Sequence, residues 1–303
     1  GLDGAMAQYS GTRSDWIDLS TGINPLPYPV SGLMSHDWTA LPDQAAQDAL
    51  VEAARAFWSI PASAAILPAP GASALIARMP LLAPAGQVQI SAPTYNEHAA
   101  AFDAQGWSVT GTESASARVL VHPNNPDGRL WKGSDITAPL TIIDESFCDI
   151  TPDATLIEHA TRPGCVVLKS FGKFWGLAGV RLGFAIAAPE MIATLSASLG
   201  PWPVSGPALR IGAIALRDRH WAAETRTRLA NDRLRLDGMM TTRGAALVGG
   251  TDLFRLYTVD NAAHWQARLA KRHIWTRTFP WSDTHLRLGL PPHQGWDQLE
   301  AAL

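Results

Sequence analysis

Short apolar runs alternate with longer amphipathic stretches along most of the chain. The spacing of Ala46, Leu50, Ala53, Ala54 and Phe57 predicts a helix over Pro42–Trp58. Apolar runs at Ala64–Leu67, Gln87–Ser91, Arg118–His122, Leu140–Ile143, Cys165–Leu168 and Leu182–Ala187 read as strands, with helices at Ser73–Leu82 and Tyr95–Gln105 between the first of them. Strands with little polar alternation, separated by helices, predict a mostly parallel sheet covered on both faces, an α/β fold. Beyond Pro189 the pattern turns helical, over Met191–Leu199 and Pro207–Met240. A smaller α+β unit follows, with strands at Leu247–Val248, Leu253–Tyr257 and His285–Leu288 around a helix at Ala262–Lys271, which puts the boundary near residue 235. The first forty residues read as irregular, broken by Pro25, Pro27 and Pro29.

Composition narrows the class. Of 303 residues, 47% are apolar and 17% charged, with a net charge of −3, which supports a large core and excludes a disordered chain. A pI near 6.3 gives no bulk electrostatic case for nucleic acid. No run approaches the roughly 18 apolar residues of a membrane span, and Gly1–Gly4 does not open a secretory leader. Cys148 and Cys165 are too few for a disulfide framework, so a reducing, cytoplasmic setting is expected. The nine histidines show no ligand spacing, and no metal is expected.

The chemistry concentrates in Ser170-Phe171-Gly172-Lys173-Phe174-Trp175-Gly176-Leu177-Ala178-Gly179-Val180-Arg181-Leu182-Gly183, directly after the strand at Val166–Leu168. Four glycines around one lysine, one of only four in the chain, describe a tight loop where backbone approaches something closely. A lysine in apolar, aromatic surroundings is an imine former by chemistry, although a solvated surface lysine fits the loop equally well. Gly71-Ala72-Ser73 opens a helix and could bind phosphate, or Ser73 could be an ordinary cap. Asp144 ends the apolar strand Thr141–Ile143, at the edge where such sheets bind ligands.

Taken in order, these segments resemble the fold-type I pyridoxal-phosphate enzymes of the aminotransferase class I/II group. The carriers are Ala69-Pro70-Gly71-Ala72-Ser73, Ala92-Pro93-Thr94-Tyr95, Pro123-Asn124-Asn125-Pro126-Asp127-Gly128-Arg129, Asp144-Glu145-Ser146-Phe147, the Ser170…Lys173…Arg181 run and Arg287. The resemblance implies pyridoxal 5'-phosphate as cofactor, held by Gly71, Ala72, Ser73, Tyr95, Asn125, Asp144, Ser170, Lys173 and Arg181. Lys173 would be the catalytic, imine-forming residue, and Asp144 the anion beside the ring nitrogen. Tyr95 would stack on the ring, Asn125 would donate to its phenolic oxygen, and Ser73, Ser170 and Arg181 would hold its phosphate. Arg287 would bind the substrate carboxylate, Arg277 a substrate phosphate, and Asn24 would lie in a segment over the substrate.

Within that group, Asp15-Trp16-Ile17-Asp18-Leu19-Ser20-Thr21-Gly22-Ile23-Asn24-Pro25 and Leu199-Gly200-Pro201-Trp202-Pro203-Val204-Ser205-Gly206-Pro207-Ala208 resemble the threonine-phosphate decarboxylases of cobalamin biosynthesis. This implies decarboxylation of L-threonine O-3-phosphate to (R)-1-amino-2-propanol phosphate. The related alternative is a histidinol-phosphate-type aminotransferase using a 2-oxo acid. Phe147 favours the decarboxylase, since those aminotransferases usually carry a tyrosine there. Leu41 stands where relatives often place a cross-subunit tyrosine, and a His-Gly-Gly motif usual in the decarboxylases would fall before Leu2. The implied organisation is an N-terminal segment at 1–35 packing with the small domain and covering the site, a large cofactor domain at 36–235 and a small domain at 236–303. A homodimer is implied, with no nucleic-acid or membrane partner. Trp175 and Trp202 lie near matched motifs and could line the pocket.

Overall fold

Seven strands form the central sheet: β1 Ala65–Ala69, β2 Gln87–Ile90, β3 Ser108–Thr110, β4 Ala117–Val121, β5 Leu140–Asp144, β6 Cys165–Ser170 and β7 Gly183–Ala187. Their order is β1-β7-β6-β5-β4-β2-β3. The strands from β6 to β3 run parallel, and β7 is antiparallel to both neighbours. Every residue of β4, β5 and β7 is buried, which is why these strands read as unbroken apolar runs. The mostly parallel α/β sheet expected from the sequence is present.

The computed structural model describes residues 1–111 and 114–303, in two compact units. One comprises Tyr28–Asn125 and Arg129–Ala222 and contains the whole central sheet; the other comprises Gly1–Pro27, Pro126–Gly128 and Ala223–Leu303. The second unit has a four-stranded antiparallel sheet of β8 Ala246–Thr251, β9 Phe254–Thr258, β10 Arg277–Phe279 and β11 Ser282–Gly289, in the order β10-β11-β9-β8. The N-terminal segment is stitched into that unit. Ile17–Asp18 pairs in parallel with Ile274–Trp275, and Gly289 N donates to Leu19 O at 2.6 Å.

Several expectations are corrected. The irregular N-terminus contains a helix at Leu2–Tyr9, where Ala5 packs with Trp16 and Ala270. Those partners are remote in sequence, and Gly1 and Gly4 masked the helical pattern. The helix expected over Ser73–Leu82 stops at Ile76, and a 3-10 turn follows at Met79–Leu82, because Pro80 cannot continue an α-helical ladder. The stretch expected over Pro207–Met240 is two helices, Gly206–Arg217 and Arg219–Thr242. Asp218 separates them, its carboxylate accepting from Trp221 N at 2.9 Å. The short edge strand β3, strand β10 and a last helix at Trp296–Ala302 were not anticipated.

Beneath the sheet edge lies a buried ionic cluster. Lys169 Nζ, on β6, is 2.6 Å from Glu145 Oε2 and 3.6 Å from Asp149 Oδ1. Glu145 also accepts from Leu156 N at 2.6 Å and Thr155 Oγ1 at 2.7 Å. Asp149 accepts the indole N–H groups of Trp58 at 2.8 Å and Trp175 at 3.0 Å. Burial alone would discharge Lys169, but Glu145 and then Asp149 outweigh it and raise its pKa above the usual lysine value. A raised lysine pKa stabilises the fold throughout neutral pH and fades only above the unfolded value near about 10.4. The potential ligand atoms of His122, Glu145 and Cys148 also gather within 4.8 Å of one another. Protein partners already engage them: Nε2 of His122 meets Ala154 O at 2.6 Å and its Nδ1 accepts from Trp131 N at 3.0 Å.

Replacing Lys169 by Met should cost about 3–5 kcal/mol in urea denaturation, because two buried carboxylates lose their counter-charge. A loss under about 1 kcal/mol would mean the cluster is hydrated and not a support.

Candidate active site

Five of the loops that leave the C-terminal ends of strands converge on one cavity. Ala72 and Ser73 follow β1, Tyr95 follows β2, Asn125 follows β4, Asp144 and Ser146 sit at the end of β5, and Ser170 and Lys173 at the end of β6. Arg181 enters from just before β7, and Ile76, Val121, Phe147 and Ala178 supply apolar wall. Eight of the nine cofactor residues expected from the sequence therefore line a single cavity.

The ninth, Gly71, serves by having no side chain. Its φ is +85°, and a Cβ there would lie 2.7 Å from Arg181 Nη2, so the guanidinium packs closely against it. Gly183 is equally constrained, since its Cβ would meet Ala72 N at 2.4 Å. Thus β7 seats directly against the start of the Ala72–Ile76 helix, and Ser73, Ser170 and Arg181 share one end of the cavity. Beside Tyr95 and Asn125 in the chain, Thr94 Oγ1 donates to Asn124 Oδ1 at 2.6 Å, and Asn124 Nδ2 to Pro93 O at 3.0 Å. These bonds tie the Tyr95 loop to the Asn125 loop.

Asp144 is buried, and its partners explain its charge. Ser146 donates to Oδ1 through its backbone N at 3.0 Å and its Oγ at 2.5 Å, and His98 Nε2 lies 2.9 Å from Oδ2. Burial pushes the carboxyl pKa up, but the hydrogen bond and charge of His98 and the two bonds from Ser146 together hold it below the usual carboxylate range. Neither His98 nor Ser146 was foreseen as functional. The available signal was His98 standing three residues after Tyr95, on the same helical face.

Lys173 Nζ lies 5.3 Å from the centre of the Phe147 ring. The backbone of its loop rests on an aromatic stack, with Phe171 and Trp175 at 5.1 Å and Trp175 and Trp221 at 5.3 Å between ring centres. Trp175 is therefore a fully buried support and does not line the cavity, as its place in the motif had allowed. Trp202 does not line it either; it is exposed on its own loop.

The three expected substrate residues lie in the other unit. Arg277 on β10 and Arg287 on β11 are direct cross-strand partners. Arg287 is buried and donates to Ser20 O. Burial, and then neighbouring Arg277, push its guanidinium down to about 10 against the opposing pull of Asp18. Buried Asn24 accepts at Oδ1 from Leu26 N at 3.0 Å and from Arg228 Nη2 at 2.7 Å.

The aminotransferase class I and II family matches residues 112–302. A threonine-phosphate decarboxylase of a Sinorhizobium species is 37% identical, over 98% of this chain and 94% of that protein. The chain belongs to the aminotransferase class I and II family. A second threonine-phosphate decarboxylase, from Pseudomonas aeruginosa, is 36% identical over 99% of this chain and 94% of its own length. Among solved structures, histidinol-phosphate aminotransferase from Sinorhizobium meliloti in complex with pyridoxal-5'-phosphate superposes with a TM-score of 0.85, at 20% identity, over all of this chain and 93% of that one. That likeness supports the fold.

Membership of the family brings pyridoxal 5'-phosphate, and the cavity fits it on physical grounds. Asp144 offers a stabilised anion to a pyridinium nitrogen, Lys173 an amine, and Ser73, Ser170 and Arg181 a hydroxyl-and-guanidinium end suited to phosphate.

Because burial and the neighbouring Arg277 both oppose the charge on Arg287, Arg287→Met should raise the melting temperature of the cofactor-free protein by about 2–4 °C. The same change should lower kcat/KM by about a hundredfold or more. Lower stability with unchanged turnover would make Arg287 a structural residue.

Proposed function

We propose that the chain decarboxylates L-threonine O-3-phosphate to (R)-1-amino-2-propanol phosphate, the linker precursor in cobalamin biosynthesis. The observation that carries this reading is the end-to-end match to two threonine-phosphate decarboxylases, at 36–37% identity over 98–99% of the chain. Phe147 in the cavity wall supports it, because it removes the hydroxyl that histidinol-phosphate aminotransferases usually place there.

When bound, pyridoxal 5'-phosphate supplies an electron sink for the pair released from a bond to the substrate's α-carbon. Asp144 holds negative charge against the ring nitrogen and keeps that nitrogen protonated. Ser73, Ser170 and Arg181 would hold the cofactor phosphate, Tyr95 would stack on the ring, and Asn125 would donate to its phenolic oxygen. Arg287 takes the substrate carboxylate, and Arg277, its neighbour across the strand pair, takes the substrate phosphate. Asn24, held by Arg228, belongs to the segment over the substrate. Once the Cα–carboxylate bond has broken and carbon dioxide has left, Lys173 Nζ would donate a proton to the same carbon, in the place of the lost carboxylate, and so yield the amine.

A homodimer accords with the exposed apolar side chains of Val30, Met34, Trp38 and Leu41, which lie close together in sequence. A cytoplasmic setting accords with two buried free cysteines. No helix among the described residues is long and apolar enough to cross a membrane.

With pyridoxal phosphate supplied and every 2-oxo acid omitted, the protein should release carbon dioxide from L-threonine O-3-phosphate. Lys173→Ala should lower that rate by at least about a thousandfold. No release, together with turnover of histidinol phosphate once a 2-oxo acid is added, would replace the lyase by an aminotransferase.

A further inference from the structure

We propose that Phe147 is a positioning residue for Lys173: its ring face seats the free ammonium of that lysine and so directs the proton to one side of the substrate carbon that has lost its carboxylate. The proposal rests on the lyase reading of the cavity.

The contact is direct. Lys173 Nζ lies 5.3 Å from the centre of the Phe147 ring, within the range over which an ammonium is drawn to an aromatic face. Phe147 is buried, Lys173 is half-buried, and both line the cavity. An ammonium there has given up part of its hydration, and the ring face returns some of that attraction. The kind of group matters as much as the distance. A carboxylate would hold the same cation by accepting its N–H bonds, and would compete for the proton. An aromatic face attracts the charge, takes no proton, and leaves the proton for carbon. Asp144 and Arg181, the other charged groups lining the cavity, are taken in the lyase reading by the cofactor's ring nitrogen and phosphate.

The ring cannot follow the lysine if the lysine wanders. On one side of it in the chain, Ser146 is bound to Asp144 through its backbone N at 3.0 Å and its Oγ at 2.5 Å. On the other, Cys148 N donates to Glu145 O at 3.0 Å and opens the 3-10 turn Cys148–Ile150. Glu145 is held in turn by Lys169, and Asp149 by the indoles of Trp58 and Trp175. Phe147 therefore stands in a turn whose polar members are tied to the frame, and it offers a fixed face to a flexible four-carbon side chain. In the step it governs, the electron pair left by carbon dioxide forms a new C–H bond, and an N–H bond of Lys173 breaks with its pair kept on nitrogen.

The test compares wild type, Phe147→Leu and Phe147→Tyr, with melting temperature reporting folding. In cofactor-free protein labelled with 13C at the lysine ε-carbons, the chain's four lysines give four signals, and Lys173→Ala assigns the one of interest. The ring current should place the Lys173 ε-protons upfield of those of exposed Lys132 and Lys271, and the displacement should vanish in Phe147→Leu and persist in Phe147→Tyr. With pyridoxal phosphate supplied and the reaction run in D2O, wild type should place deuterium on C1 of the product in one configuration, which the neighbouring stereocentre makes distinguishable. Phe147→Tyr should do the same. Phe147→Leu should give a mixture of configurations, and its kcat should fall by about 2- to 30-fold, the worth of one ammonium–ring contact, with KM within about twofold. A wild-type Lys173 signal no different from those of Lys132 and Lys271 would overturn the proposal, a result that needs no ring variant to fold. A single configuration from Phe147→Leu, or a mixture from Phe147→Tyr, would overturn it while leaving the lyase reading in place. Wild type that releases no carbon dioxide would overturn that reading and the directing role with it.

Discussion

A buried carboxylate kept ionised is the constraint on which this active site depends. Burial opposes the charge on Asp144, and three donors from two other positions restore it. Ser146 is two residues away and comes with the turn that ends β5. His98 is 46 residues away and requires the Asn96–Asp103 helix to dock against that strand end. The charge at the centre of the site is thus a product of the assembled sheet and helix, and no local segment could sustain it.

The same economy governs the neighbouring elements. Glu145, next in the chain, is held by Lys169 on the adjacent strand, so β5 and β6 are locked together one residue from Asp144 and four from Lys173. Asp149 extends the lock to Trp175, whose ring supports the lysine loop from behind. Lys173 therefore stands on a rigid turn over a packed core, which suits its proposed task of delivering a proton to one carbon. At the phosphate end, rigidity comes from close backbone approach, where Gly71 and Gly183 let Arg181 and β7 settle against the Ala72–Ile76 helix start.

Much of this was legible in the chain. The central strands are buried on both faces, so their apolar runs stood out, and Asp144 and Ser170 were visible as polar residues ending such runs. The ordered motifs then named the cavity residues. Pairings made only in three dimensions stayed hidden. His98 looked isolated because its partner lies on another element, and Trp175 looked like pocket lining because its stack with Trp221 spans 46 residues. The helix at Leu2–Tyr9 depends on Ala270, far along the chain. In the second unit, half-exposed strands gave weak patterns: β8 is largely solvent-facing, and β10 has only three residues. The cross-strand pairing of Arg277 with Arg287 follows from a bulged hairpin register that spacing alone does not determine.

If Asp144 is the anion that this geometry makes it, the ring nitrogen of bound cofactor must carry a proton. The direct measurement is the 15N chemical shift of 15N-labelled pyridoxal phosphate in the holoenzyme at neutral pH, for wild type and Asp144→Asn. The account predicts a pyridinium shift in wild type and an unprotonated pyridine shift in the variant. An unprotonated nitrogen in wild type would contradict it, because the donors gathered around Asp144 would then serve no charge on the cofactor.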